Sequence, residues 1–469
     1  MVARITTKEK ENRTKLIVVD DIGLDTEVED NNGEKMTNEE NKLDEDKLAA
    51  LKAKMTEKAA VVEAAPAVPA ERQVSLKFGV IGLGQGGSRI AEVFNDLGYP
   101  TIVANTATQD LVHINVPEDH KLFMDIGLQG AAKNIDRGQE AAEAYREEIQ
   151  KLAYDVLGTT QVLIVAASCG GGSGAGAIST VIELLQVMGK PIVVIGVLPM
   201  HSEDVKTKAN SLETVSKLAG LVNGGKIHNV IIIDNAQIES IFAGVSQMDF
   251  YKVANKAIVE PIDIFNNFSM LPSDVKGLDS SEWATLFLNG EGLSVYGQLS
   301  ISNYEEDTSI AEGIISSLSD NLLASSFDLK QAQDVGFMVV ANKEVWSKVP
   351  AGAVNYASLM VAEMFGNPGG LFKGVYTHDD PEDVIKIYTF VSGLGLPEVR
   401  LNSLKKEVEV MQDALKAKGK ERTNKLNLDI NKDVAVSKVE ELKSRIAANR
   451  SGFGKLNTSL GGIVDRRKK

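Results

Sequence analysis

The sequence predicts a doubly wound α/β sheet of parallel strands, joined through a long helix to a smaller α/β domain. Three observations predict it. From residue 75 onward, short apolar runs rich in β-branched residues alternate with amphipathic segments of helix length. Strands that are apolar on both faces and separated by helices belong to parallel sheets covered on both sides. Two glycine clusters fall where an apolar run gives way to a helix, the place where such sheets bind ligands. Finally, residues 244–270, GVSQMDFYKVANKAIVEPIDIFNNFSM, read as one long helix interrupted by Pro261, and they separate two blocks of strands.

In chain order, the first block has strands in LKFGVIGL, PTIVANT, QVLIVAAS, KPIVVIGVLP and HNVIIID. Between them lie helices in SRIAEVFNDLG, DRGQEAAEAYREEIQKLAYDVL, GAISTVIELLQVMG and VKTKANSLETVSKLAGLV. The second block has strands in GLSVYGQLSISN, QDVGFMVVAN, GGLFKGVYTH and DVIKIYTFVSGLG, with helices in DTSIAEGIISSLSDNLL and AGAVNYASLMVAEMFG. The expected domains are therefore 75–243, the central helix 244–270, and 271–400. Residues 1–74 alternate acidic and basic clusters and end in an Ala/Pro-rich linker, an expected mobile extension. Residues 401–469 have helical composition without a wide apolar face and finish in a polar, basic tail.

Composition narrows the function classes. A single cysteine, Cys169, fits a reducing cytosol, and one Cys with five His argues against a zinc site. The N-terminus carries no apolar stretch of secretory-signal length, which points to the cytoplasm. The net charge of −15 divides into roughly −5 over residues 1–74, roughly −18 over 75–400 and roughly +8 over 401–469. The acidic body is a poor general nucleic-acid binder, whereas the tail suits an acidic partner.

The first glycine cluster is GLGQGGSRI, from Gly82 to Ile90, and the second is GGGSGAGA, from Gly170 to Ala177. Glycines let backbone N–H groups converge on an anion, and the following helix points its positive dipole end at the same spot. Gly82, Gly84 and Gly87 also satisfy the dinucleotide fingerprint, but that reading expects an acid about 20 residues on. The second strand ends instead at Asn105, with no acid before Asp110. No Lys follows either cluster in Walker A register. Helix–strand packing is the ordinary explanation for Gly87 or Gly176, but not for five glycines in the seven positions of GGGSGAG.

GGGSGAG closely resembles the G-G-G-T-G-[ST]-G turn with which the tubulin/FtsZ superfamily cradles the phosphates of GTP. Ser173 keeps the hydroxyl of the usual Thr, and Ala175 loses the second hydroxyl. GLGQGGSRI resembles the superfamily's first phosphate loop, which implies roles for Gly84, Gln85, Gly86, Gly87 and Ser88, with Gln85 near the metal. VANTATQDL resembles the FtsZ loop carrying Asn105. GLQGAAKNIDRG is similar to the loop that senses the third phosphate, implying Gly130, Ala131 and Asn134, and the signature turn implies Gly171, Gly172, Ser173 and Gly174. LPMHSED places Glu203 on the ribose, and IIIDNAQ places Asn235 at the base. Tyr251 and Asn255 match the aromatic that stacks on guanine and the Asn that reads its edge. Independently of any family, residues four apart on a helix share a face, so Tyr251 can offer a ring beside the donor and acceptor of Asn255.

The resemblance covers residues 75–400 and implies a Rossmann-like GTPase domain, a central helix and a smaller activation domain. It implies GTP/GDP as ligand, with Mg2+ held on phosphate oxygens and water rather than in a protein cage. It also implies hydrolysis split between subunits, in which Asp279 and Glu282 of one copy reach the nucleotide of its neighbour. An N-terminal capping box in DSSE would use the same two residue types. Three departures stand out: Gly277 where FtsZ has Asn, Ala107 where the loop has Asp, and Thr207 where a basic residue is expected.

Such a site couples hydrolysis to a head-to-tail homopolymer. The long helix and basic tail resemble the plasmid and phage tubulins (the TubZ-like group), in which the tail engages a DNA-bound adaptor. The acidic-apolar membrane-docking end of the division proteins is not evident in GGIVDRRKK. The alternatives are an FtsZ-like division filament and, in a different class, a non-polymerising dinucleotide-binding oxidoreductase.

Overall fold

The structure, a computed structural model, describes residues 73–127, 129–246, 248–288, 292–379, 381–426 and 440–444. The expectations for residues 1–72 and for the basic tail beyond 444 lie outside the described residues.

The apolar runs become the strands β1 (Phe78–Leu83), β2 (Thr101–Asn105), β3 (Lys121–Phe123), β4 (Val162–Ser168), β5 (Ile192–Leu198) and β6 (Asn229–Asp234). Six neighbouring pairs run in parallel, from β3 at the edge through β2, β1, β4, β5 and β6 to β7 (Leu293–Ile301). The sheet does not stop there. β10 (Ile385–Leu394) pairs antiparallel with both β7 and β8 (Asp334–Ala341), and β9 (Gly370–Thr377) closes the far edge parallel to β8. The two blocks of strands thus share one ten-stranded sheet. The seam is pinned by buried Asn229, whose Nδ2 donates to Ser294 Oγ at 2.8 Å and to the Phe287 carbonyl at 3.0 Å.

Strand periodicity sorts the core. Leu163, Val165 and Ala167 of β4 face one apolar cluster, and Val162, Ile164 and Ala166 face the other. The first cluster is covered by α3 (Ile135–Ala144), α4 (Arg146–Leu157), α5 (Ser173–Gln186) and α6 (Val205–Asn223). The second is covered by α1 (Gly84–Asp96), α8 (Phe250–Phe268) and α9 (Ser280–Leu288). In that second cluster Phe265 of α8 stacks on Trp283 of α9, ring centroids 5.1 Å apart.

Helix boundaries differ from the sequence expectation in two places. The single helix expected over 136–157 breaks at Tyr145 (φ −109°, ψ 25°). The break lets α3 lie along α5 while α4 turns onto β1 and β2. The central helix starts at Phe250 rather than 244, because the Ser246 hydroxyl accepts from the Asp249 backbone N–H and donates to its carboxylate, closing a turn first. Short α2 (Thr108–Val112) and α7 (Asn235–Ile241) complete the first half. Beyond it lie α10 (Ser309–Ser319), α11 (Lys343–Trp346), α12 (Ala353–Phe365) and α13 (Glu398–Leu426).

The chain leaves β1 toward β2 and leaves β4 in the opposite direction toward β5, so the order reverses between β1 and β4. That reversal opens a crevice at the carboxyl ends of the two strands. Both glycine clusters sit there.

Candidate functional site

A cavity of about 620 Å³ occupies that crevice. Its floor is the two glycine turns. Gly84 opens α1 with φ +67°, a left-handed conformation that glycine adopts without strain. A Cβ on Gly84 would lie 2.9 Å from the Gly174 nitrogen, and one on Gly174 would lie 2.6 Å from the Leu83 carbonyl. The turns pack directly on one another, and Gly170 and Gly172 are as tight, their Cβ atoms falling 2.8 Å from the Thr207 carbonyl and 2.7 Å from the Asn134 nitrogen, so close packing explains more of the glycine run than the sequence suggested. Packing also claims Gly87, whose Cβ would meet the Ala166 carbonyl at 2.1 Å, and Gly176, whose Cβ would meet that of Ile135 at 2.3 Å. Gly171 is different: a Cβ there would find only the Ser168 carbonyl, at 3.9 Å.

The helices that leave these turns start without side-chain caps. Neither α1 nor α5 has a capping hydrogen bond or an acidic residue in its first turn. Their leading N–H groups and positive dipole ends meet the cavity uncompensated, the arrangement that binds phosphate. Ser173, the first residue of α5, shares a 2.6 Å hydrogen bond with Thr106 Oγ1 across the two strand ends.

One wall comes from β2 and the loop after β3. Asn105 is buried, accepts from the Thr106 N–H at 2.8 Å and donates to Asp110 Oδ2 at 2.9 Å. Gly130 (φ +90°), Ala132 (φ +51°) and Lys133 (φ +57°) carry the loop through left-handed backbone, with Ala131 buried between them. For Ala and Lys this conformation is strained, and α6 holds it in place. Lys206 Nζ donates to the Ala132 carbonyl at 3.2 Å, and Asn210 Nδ2 to the Lys133 carbonyl at 3.0 Å. The Lys133 ammonium pairs with Asp204 and lies 3.9 Å from Glu203. Burial alone would raise the Asp204 carboxyl, but hydrogen bonds from Lys133 and Thr207 outweigh it and pull it down to about 2.

Asn235, Tyr251 and Asn255 also line the cavity. Tyr251 and Asn255 project one turn apart from α8, as their spacing predicts, with the Tyr251 ring edge-on to Phe250. Asn235 is held from behind. Its neighbour Asp234 accepts from the Ala236 N–H at 3.0 Å and binds buried Arg400 of α13 through contacts of 2.6 and 3.3 Å.

The cavity therefore gathers Gly84, Gln85, Gly86, Asn105, Gly130, Ala131, Gly171, Gly172, Ser173, Gly174, Glu203, Asn235, Tyr251 and Asn255. Three residues expected at the nucleotide do not line it. Gly87 packs on β4, Ser88 is fully buried with a hydroxyl that has no partner among the described residues, and Asn134 caps α3 by accepting from Asp136 and Arg137. Four polar residues escaped the sequence reading and do line it: Arg89, Asp110, Lys133 and Ser168. Thr207 also lines the cavity, whereas Lys208 beside it is buried and paired with Glu407 at 2.8 Å. The cation that does lie beside Glu203 is Lys133, 3.9 Å away. Cys169, beneath the turn, is fully buried, and burial pushes its thiol up to about 12. It is no nucleophile.

No group of three or more His, Cys, Asp or Glu that could hold a metal ion occurs among the described residues. Magnesium needs only one or two protein oxygens beside phosphates and water, and the Asp110 carboxylate and the Gln85 side chain, both on the cavity wall, fit that demand.

Asp279 and Glu282 stand apart from the cavity and form a reciprocal capping box at the start of α9. Asp279 Oδ1 accepts from the N–H groups of Ser281 and Glu282 at 2.8 and 2.9 Å, and Glu282 Oε2 accepts from the Asp279 N–H at 3.0 Å. The bond from the Glu282 N–H and those from Ser281 hold the Asp279 carboxyl below its ordinary value. The remaining carboxylate oxygens, Asp279 Oδ2 and Glu282 Oε1, are left over from the box.

Residues 77–243 match the family model described as Tubulin/FtsZ family, GTPase domain. This segment is a tubulin/FtsZ domain. The chain is 24% identical over 386 residues to the tubulin-like protein TubZ of Bacillus cereus, covering 76% of this chain and 88% of that one. It is 28% identical over 191 residues to CetZ of Pyrococcus furiosus, covering 39% and 50%. The tubulin/FtsZ fold extends beyond the GTPase domain. A GTPγS-form protofilament of TubZ from Bacillus thuringiensis serovar israelensis superposes with a TM-score of 0.66 at 21% identity, over 75% of this chain and 95% of that one. The two-stranded TubZ-Bt filament gives 0.67 at 22% identity, over 77% and 95%.

Proposed function

We propose that this protein is a GTP-hydrolysing, filament-forming tubulin-like protein of the cytoplasm that moves or positions plasmid or phage DNA. The observation that carries the nucleotide reading is a single cavity lined both by two uncapped helix starts and by Tyr251 with Asn255. Phosphates accept N–H bonds from the starts of α1 and α5, Glu203 takes the ribose, and guanine lies on Tyr251. Bound Mg2+ would neutralise phosphate charge, with Gln85 and Asp110 on its protein side.

The hydrolytic reading rests on a separation. Asp279 and Glu282 lie outside the cavity of their own chain and keep carboxylate oxygens free of the capping box. A second copy stacked head to tail would present them to the terminal phosphate, where Glu282 orients the attacking water and charged Asp279 polarises it. Relatives described as protofilaments and a two-stranded filament support self-assembly. The basic residues after 400 suit an adaptor on DNA. No helix among the described residues is long and apolar enough to cross a membrane.

Titration of the purified full chain with GTP, GDP, ATP and NADH, read by calorimetry, tests the nucleotide reading. Guanine nucleotides binding at least tenfold more tightly than NADH supports it. Preference for NADH overturns it in favour of an oxidoreductase.

A further inference from the structure

Arg89 is a side chain that the nucleotide reading does not use. It lies on α1 four residues after Gln85, so the two share the helix face that lines the cavity. Its guanidinium carbon sits 5.8 Å from the centroid of the Tyr251 ring. Among the described residues it makes no hydrogen bond and no ion pair. Glu92, one turn further along, is occupied with the Asn115 N–H at 2.6 Å. The cavity's other cation, Lys133, is paired with Asp204. Arg89 thus brings a fork of unspent N–H donors beside the Tyr251 ring, one helical turn after Gln85.

We propose that Arg89 is a specificity-determining residue that reads the O6/N7 edge of guanine and rejects adenine; this rests on the nucleotide reading above. Asn235 and Asn255 cannot enforce that choice alone. Each amide carries both a donor and an acceptor and can satisfy either purine by rotating half a turn. A guanidinium only donates. Guanine presents two adjacent acceptors, O6 and N7, which match two parallel N–H groups. Adenine presents N7 beside an N6 amino donor, which would set N–H against N–H.

Competition binding to the full chain, with GTP, 7-deaza-GTP and ATP against a fluorescent GDP, tests this in wild type, Arg89→Met and Arg89→Lys. Wild type is expected to bind GTP roughly ten- to a hundredfold more tightly than ATP, with 7-deaza-GTP between them because N7 is gone. Arg89→Met should weaken GTP by a similar factor while leaving ATP nearly unchanged, and 7-deaza-GTP should then equal GTP. Arg89→Lys keeps the charge but not the fork, so most of the selectivity should still be lost. A uniform loss across the three nucleotides would assign Arg89 to stacking or packing and overturn the proposal. So would unchanged selectivity in Arg89→Met. If the wild type binds GTP no better than NADH, the nucleotide reading falls and the proposal with it. If the wild type prefers guanine and the variants do too, only the proposal falls.

Discussion

Two kinds of helix start stand side by side in this protein. The starts of α3, α6 and α7 are closed by Asn134, Asp204 and Asp234, whose side chains accept the leading N–H groups. The starts of α1 and α5 have no such cap. A capped terminus has spent its orphan donors within the chain, while an uncapped one keeps them for a ligand. The start of α9 combines both conditions, because Asp279 and Glu282 close it yet retain oxygens that face away from the box. Helices α2, α4, α8, α10 and α12 also start without a side-chain cap, so what singles out α1 and α5 is a missing cap on a glycine turn that lines the cavity.

The strongest way to break the comparison is to separate capping from catalysis at Asp279. Asn caps about as well as Asp, whereas Ala costs about 1 kcal/mol. Asp279→Asn should leave the melting temperature in place while lowering GTP turnover on the order of a hundredfold; parallel thermal melts and phosphate-release assays read both. An Asp279→Asn variant with normal turnover would reduce the residue to a cap.

A smaller effect is expected at Gly171, where a methyl group meets nothing in the protein closer than 3.9 Å. Gly171→Ala should keep the fold and weaken GTP binding by about tenfold, because close approach of bare backbone to phosphate is lost. At Gly174 the same change should instead lower stability, since its Cβ would collide with Leu83. Calorimetric binding and melting curves of the pair sharpen the distinction between ligand glycines and packing glycines. Lys133→Met should weaken GTP more than GDP, by about fivefold, if its ammonium turns from Asp204 to the terminal phosphate.

The smallest effect concerns acid. Asp204 ionises at about 2 in the folded chain, below its ordinary value of 3.8. Its contribution is present above pH 4 and fades as pH falls toward 2, because protonation removes the α6 cap and the Lys133 pair. Acid titration of Asp204→Asn against wild type should show the two stability curves converging over that window.

Much of this was legible in the sequence, for physical reasons. Apolar runs such as VLIVAAS and IVVIGVL are too short and too β-branched for a buried helix and read as strands buried on both faces. Tyr251 and Asn255 were named by the family resemblance, and helix periodicity accounts for their common face. What escaped reading depends on tertiary geometry. Lys133 reaches the cavity through left-handed backbone at Ala132 and Lys133, which no propensity encodes. Arg89 has the pattern of any solvent-facing helix residue until Tyr251 is brought beside it. The glycine run carries two demands, close packing at Gly170, Gly172, Gly174 and Gly176 and room at Gly171, and only coordinates separate them.

The measurement that tests the central claim most directly is GTP turnover per subunit against protein concentration, with light scattering read alongside, for wild type and Glu282→Ala. A shared threshold concentration in both signals is predicted for the wild type, with Glu282→Ala still scattering but no longer hydrolysing. Turnover per subunit that is flat with concentration and unaccompanied by scattering would mean one chain holds a complete active site, and would contradict the account.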